Sequence, residues 1–192
     1  MGYLQYLREI WKQPKKQLAN AYQEKLIQWR REPATVRIER PTRIDRARSI
    51  GYKAKQGILV IRQRVSRGGH QHPDIKGGRR PKANTQRKVV ASSYQVIAEQ
   101  RANKKYPNCE VAGSYLVGQD GDQYWFEIVL YDRDHPVIKA DKRLSWAFKT
   151  RNKAARGLTS AGRKSRGLRH KGKGTEKLRP SKHASYQKKH KQ

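Results

Sequence analysis

Four groups of residues have types and spacings that could support chemistry. Gly157-Leu158-Thr159-Ser160-Ala161-Gly162-Arg163-Lys164-Ser165 comes within one residue of a phosphate-binding loop. That motif needs lysine directly after its second glycine, and it needs a buried strand before it and a helix after it so that backbone amides wrap the phosphates. Here Arg163 intrudes, and the approach from Thr150 to Arg156 is basic rather than apolar. Nucleotide hydrolysis is therefore not the expected activity. The same glycine-rich, cationic stretch suits the backbone phosphates of a polynucleotide, to which amides, hydroxyls and guanidinium groups all donate. Asp132, Asp134 and His135 have the donors of a nuclease-like metal site, but the plainer reading is a turn whose acids cap the chain or pair with arginines. His70 and His72 sit in a Gly-rich loop without neighbouring acids or cysteines, which favours a loop facing RNA over a metal site. Cys109 has no sequence-local activator and reads as a small core residue. No catalytic constellation assembles, and the chain is not expected to be an enzyme.

Charge defines the class. The 192 residues hold 46 Lys and Arg against 15 Asp and Glu, a formal net charge of +31. A compact chain so charged repels itself unless a polyanion is its partner. Leu, Ile, Val and Phe together make up under a fifth of the chain, the level at which high charge signals disorder. They are clustered, however, so part of the chain folds and part does not. One cysteine cannot form an internal disulfide or a multi-cysteine zinc site. No apolar run reaches the roughly 20 residues of a membrane span, and Met1-Gly2-Tyr3-Leu4-Gln5 lacks a signal-peptide design. A soluble intracellular protein without membrane contact is expected.

The elements that must position this charge are built around a neutral segment. From Thr85 to Tyr131, five basic residues balance five acids (Glu99, Glu110, Asp120, Asp122, Glu127), and most of the strong apolar blocks lie here, including Val89 and Val90. A helix is expected from Tyr94 to Lys105, capped by Ser92 or Ser93, with Val96, Ile97 and Ala98 inward and Pro107 beyond its end. Strands are expected over 110–117 and 123–131, joined by an Asp-Gly turn. Upstream, Leu4, Leu7, Ile10 and Trp11, then Leu18, Tyr22, Leu26 and Trp29, mark two amphipathic helices separated by Pro14. Thr35–Ile38 reads as a short strand. Ile58–Val65 reads as a longer one that buries Leu59, Ile61, Gln63 and Val65. Between them, Thr42 and Asp45 fit a capping box and Gly51 is placed to end a short helix. A short helix carrying Leu144, Trp146 and Phe148 is expected to fold back on the core.

The organisation read from this is a helical segment 1–32, an α+β core 33–148 interrupted by a basic Gly-rich insertion 66–88, and a basic extension 149–192. The sheet is small, antiparallel or mixed, with packed helices, and the long basic extensions and loops order on RNA. Residues 151–192 carry fifteen Lys and Arg and one Glu, too polar a composition to fold alone. Charge falls in four separated blocks rather than on one face, which suits threading through a large folded RNA better than lying on a DNA duplex. Tyr52, Tyr94, Trp146 and Tyr186 offer rings for unpaired bases, although Tyr94 and Trp146 more readily serve as core residues.

Arg40-Pro-Thr-Arg-Ile-Asp-Arg-Ala-Arg-Ser-Ile-Gly-Tyr-Lys-Ala-Lys-Gln-Gly57, then Arg62 to Gly69, and above all Arg156-Gly-Leu-Thr-Ser-Ala-Gly-Arg-Lys-Ser-Arg-Gly-Leu168 resemble large-subunit ribosomal protein fifteen of the archaeal and eukaryotic type. Tyr3-Leu4-Gln5-Tyr6-Leu7 and Trp11 extend the likeness, which runs from residue 1 to about 170. The resemblance implies a structural protein of the large subunit in cytoplasmic ribosomes, bound to large-subunit rRNA beside neighbouring ribosomal proteins. It carries RNA contact to Arg40, Arg43, Arg46, Arg48, Tyr52, Lys53 and Lys55, and to Arg156, Arg163, Lys164 and Arg166. Arg67, Arg79, Arg80 and Lys82 of the insertion and Arg169 and Lys171 of the tail complete the candidate set. No cofactor and no homo-oligomer are expected, and structural Mg2+ or K+ would belong to the rRNA. The rival reading is a nonspecific DNA-compacting chromatin or nucleoid protein.

Overall fold

Asp120 and Gly121 stand where one long strand turns into the next. The computed structural model describes residues 2–69, 76–79, 92–170 and Leu178. Arg80, Lys82, Lys171, His70, His72, Val89, Val90 and Tyr186 lie outside the described residues. Strands β3 (Cys109–Gln119) and β4 (Gln123–Asp132) flank the turn. The Asp120 carboxylate closes it by accepting the amides of Asp122 (2.9 Å) and Gln123 (2.7 Å). β2 (Ile58–Ser66) pairs with the other edge of β4, and β1 (Thr35–Ile38) pairs with β2. The order is β1-β2-β4-β3, antiparallel throughout, so the α+β expectation holds and the sheet is not mixed.

Period-two alternation along β4 feeds two cores. Trp125, Val129 and Tyr131 face one side and Phe126, Ile128 and Leu130 the other. The first side is covered by α3 (Ala19–Arg31), whose Tyr22, Leu26 and Trp29 recur at helical spacing and are buried. Trp29 packs on Trp125 with ring centroids 6.0 Å apart. The other side is covered by α5 (Tyr94–Lys105), capped by the Ser93 hydroxyl as expected. Its inward stripe is Val96, Glu99, Ala102 and Asn103 together with Ala98, while Ile97 is only half-buried. Cys109 is buried in this second core, and burial pushes its thiol up to about 11.

Because both faces are covered, β2 departs from the expected one-sided pattern: Ile58, Val60 and Arg62 are buried as well as Ile61, Gln63 and Val65, whereas Leu59 is half-buried. Arg62 is accommodated because its guanidinium lies 4.7 Å from the centre of the Trp29 ring and 2.5 Å from the Glu32 carboxylate. At the N-terminus the first expected helix is α1 (Tyr3–Ile10), and a single turn, α2 (Pro14–Gln17), precedes α3. α1 buries none of its residues. Beyond β4, α6 (Pro136–Ala140) and α7 (Trp146–Lys149) return to the α3 side through Ile138, Leu144 and Ala147. Residues 150–170 continue across the α5 side, where Ala154, Thr159 and Ala161 are buried and α8 (Ser160–Ser165) contacts α5.

Candidate nucleic-acid interface

Segment 40–57 rests on the core through buried Ala47 and half-buried Ile50 and Tyr52, and polar contacts fix the rest of it. The amide of Thr42 donates to both oxygens of Glu127 (3.2 and 3.0 Å), and the Tyr115 hydroxyl donates to the same carboxylate at 2.7 Å. The capping box expected from Thr42 and Asp45 does not form. Helix α4 (Ile44–Ser49) has no side-chain cap, and buried Asp45 instead takes the Arg43 guanidinium at 3.0 Å. Arg43 also lies over the Trp11 ring at 5.0 Å. Gly51 ends the helix at φ +96, and its carbonyl accepts the Tyr131 hydroxyl at 3.0 Å. The Gly57 carbonyl accepts the Asp132 amide at 2.8 Å, tying the segment to the end of β4.

This framework sorts the predicted residues. Arg40, Arg46, Arg48 and Lys53 are exposed and Tyr52 is half-buried. Arg40, Arg48, Tyr52 and Lys53 converge on one cleft of about 960 Å³, whose far wall includes Tyr3 and Leu7 of α1. Arg46 projects outside it. Arg43 is turned inward with 15% of its side chain exposed, and Lys55 pairs with Asp141 at 3.2 Å. These two support the segment's shape more than its outer surface.

Glu99 and Glu110 hold the C-terminal segment in the same manner. Glu110 accepts the Lys153 amide at 2.9 Å, and the Lys153 ammonium lies 4.0 Å from the centre of the Trp146 ring. Glu99 accepts the hydroxyls of Ser114 and Thr159, both at 2.5 Å, and the Thr159 oxygen accepts the Gly162 amide at 3.0 Å, which caps α8. Gly162 presses against Gly157, where a Cβ would lie 2.8 Å from backbone atoms. The near phosphate-loop is thus closed on itself, with the Gly162 amide bonded to Thr159. Outward, it presents Arg156, Arg163, Lys164 and Arg169 as exposed residues, with Arg166 half-buried and donating to the Gly157 carbonyl at 3.3 Å.

The insertion is rooted at the hairpin. Arg67 donates through its side chain to the Asp120 carbonyl (2.9 Å) and through its amide to that of Asp122 (2.7 Å), and its guanidinium lies over Tyr124. Tyr94 stacks on Tyr124, with centroids 5.0 Å apart, and its hydroxyl bonds Gly68. Arg79 is exposed.

The alternative metal residues are otherwise engaged: Asp132 accepts the Asp134 amide at 3.1 Å, His135 Nδ1 caps α6 at 3.3 Å, and Asp134 pairs with Lys139 at 3.2 Å. Among the described residues no three His, Cys, Asp or Glu side chains come together to hold a metal.

The family model described as Ribosomal L15 matches residues 2–185. The chain belongs to the ribosomal L15e family. A large ribosomal subunit protein eL15 from Methanocella arvoryzae is 52% identical over 180 residues, which span 92% of this chain and 92% of that relative. In this L15e chain the sequence motifs identify where the cations are. What they miss is the set of interior carboxylates, Glu99, Glu110 and Glu127, that anchor the segments bearing them. A signal was present: Glu99 falls on the α5 stripe with Val96 and Ala102, and Glu127 sits inside an otherwise apolar strand. Burial raises the carboxyls of both Glu99 and Glu127 above their ordinary value. The hydrogen bonds from Ser114 and Thr159, and from Thr42 and Tyr115, only partly offset it. Burial, with Glu127 alongside, also pushes the Tyr115 phenol up.

Proposed function

We propose that this L15e chain is a structural constituent of the large ribosomal subunit, located in cytoplasmic ribosomes, that binds and stabilises folded large-subunit rRNA through its arginine- and lysine-rich segments. The observation that carries the proposal is the division of labour in the molecule. A core whose acids face inward fixes the roots of basic segments whose cations, Arg40, Arg46, Arg48, Arg163 and Lys164 among them, face outward. The relative bearing the large-subunit name supports the same reading.

The mechanism is neutralisation with orientation. Folding a large RNA brings phosphates of different helices together, and arginines held at fixed positions lower that repulsion. Anchoring through Glu127, Glu110 and Glu99 means that less of the ordering entropy is lost when RNA arrives. Shape and phosphate geometry supply most of the specificity. The partners are rRNA and neighbouring large-subunit proteins; no cofactor, homo-oligomer or membrane contact is required, and any Mg2+ or K+ at the interface belongs to the RNA.

The test is competition between large-subunit rRNA and duplex DNA of equal phosphate content for the full chain across a salt series. Both affinities should fall with salt, with a log-log slope of roughly 0.7 to 0.9 per phosphate neutralised, and rRNA should remain preferred at moderate salt. Equal affinity for the two at every salt concentration would favour DNA compaction and contradict the proposal.

A further inference from the structure

The cleft between α1 and segment 40–54 differs chemically from the other cationic surfaces. Tyr3 and Leu7 line it on one side, Pro41, Ile44 and Tyr52 on the other. In a chain so poor in apolar residues, α1 leaves Tyr3 70% and Tyr6 56% exposed. Of these two rings Tyr3 lines the cleft, where its exposed face is open to a ligand. Arg40, Arg48 and Lys53 stand in the same lining. Arg40 and Arg48 form no ion pair among the described residues, whereas Lys53 lies near enough to Asp141 to help lower that carboxyl.

A regular RNA duplex offers phosphates and 2′-hydroxyls while keeping its bases stacked, so it matches the cations but not the rings. An unpaired nucleotide offers both a flat apolar base and an anionic phosphate, and aromatic side chains beside cations are the usual way proteins hold one.

We propose that this cleft is a binding site for a single unpaired nucleotide of large-subunit rRNA, its base held against Tyr3 and Tyr52 and its phosphates by Arg40, Arg48 and Lys53. This rests on the rRNA reading above and adds to it the form of RNA the cleft selects. Tyr3 contributes a contact face and little to the fold, since most of its side chain is exposed, while Tyr52 packs partly on the core.

The test has two parts. Large subunits containing the full chain are irradiated with short-wave ultraviolet light, digested with nuclease and protease, and searched by mass spectrometry for nucleotide adducts. In parallel, full-length Tyr3→Ala and Tyr3→Phe chains are titrated with large-subunit rRNA and with a blunt RNA duplex, and their melting temperatures are recorded. Adducts on the peptides holding Tyr3 or Tyr52 are expected. Tyr3→Ala should bind rRNA about 5-fold or more weakly, with unchanged duplex binding and melting, and Tyr3→Phe should bind like the parent. Unchanged rRNA binding by Tyr3→Ala, with adducts only elsewhere such as on residues 156–169, overturns the nucleotide site and leaves the rRNA reading standing. Equal loss on rRNA and duplex also overturns it, because a base pocket cannot act on a duplex. Protein crosslinks at Tyr3 without nucleotide adducts would assign the cleft to a neighbouring protein instead. A parent chain that fails to prefer rRNA and carries no adduct anywhere contradicts the rRNA reading itself.

Discussion

Thr159→Ala is the substitution that most directly probes how the C-terminal segment is held. Thr159 is fully buried, caps α8 through the Gly162 amide and donates to Glu99. Losing an N-cap costs about 1 kcal/mol. Depriving a buried carboxylate of a donor costs roughly 1 to 3 kcal/mol, and removing a buried methyl about 0.8 kcal/mol. These effects share one residue and do not simply add, so about 3 kcal/mol is expected. Thr159→Ser, which keeps both hydrogen bonds, should cost about 1 kcal/mol. Hydrogen exchange read by mass spectrometry would show the amides of α8 losing protection in Thr159→Ala, while those of β4 change little. The Glu99 part of the effect should also shrink as pH is lowered toward 4.5, the ordinary carboxyl value above which burial holds Glu99. Removing a donor to the charged form raises the folded Glu99 carboxyl further, and a protonated carboxyl no longer suffers the loss. Full α8 protection in Thr159→Ala would refute the idea that the Glu99–Thr159 bond anchors this segment.

Further consequences follow from other parts of the core and from α8. Glu127 is raised above its ordinary 4.5 by burial, so between that value and its folded one the native state binds the extra proton. The stability it contributes is fully present below 4.5 and is lost as pH rises through the folded value. Urea melts should therefore show the parent gaining on Glu127→Gln as pH is lowered from 7 to 4.5; a pH-independent difference would count against this. In Gly118→Ala the new Cβ would lie 2.8 Å from the Trp29 ring and 3.1 Å from Leu26, an overpacking cost of about 1 to 3 kcal/mol measurable by chemical denaturation. Arg163→Gln with Lys164→Gln removes two exposed cations of α8. Melting should be unchanged, and the salt slope for rRNA binding should fall by about 0.7 to 0.9 for each phosphate that is no longer neutralised.

Much of the architecture was legible because hydrophobic period and turn chemistry point the same way. Tyr22, Leu26 and Trp29 fall at helical spacing, Asp120-Gly121 ends a strand, and Ser93 caps α5. The failures share one cause, which is that side-chain partners far away in sequence overrule local motifs. Thr42 and Asp45 satisfy a capping pattern, yet Glu127, 85 residues from Thr42, takes the Thr42 amide, and Arg43 takes Asp45. Arg62 falls on the face of β2 opposite the one expected to be buried, yet Trp29 and Glu32 enclose it. The basic tail was too polar to fold alone, and its first part is held by interior acids that a charge count had registered only as neutralising the core. In the candidate set, type and position were readable for Arg40, Arg48, Tyr52 and Lys53. Their convergence with Tyr3 on one cleft depends on packing between α1 and α4 that no local pattern encodes.

The most direct test of the central claim is sedimentation of the tagged full chain from cell lysate through a salt series, with protein and RNA identified in each fraction. The account predicts stoichiometric recovery with large-subunit particles that persists at moderate salt, together with large-subunit rRNA. Recovery with bulk DNA, or release as free protein at mild salt, would contradict it.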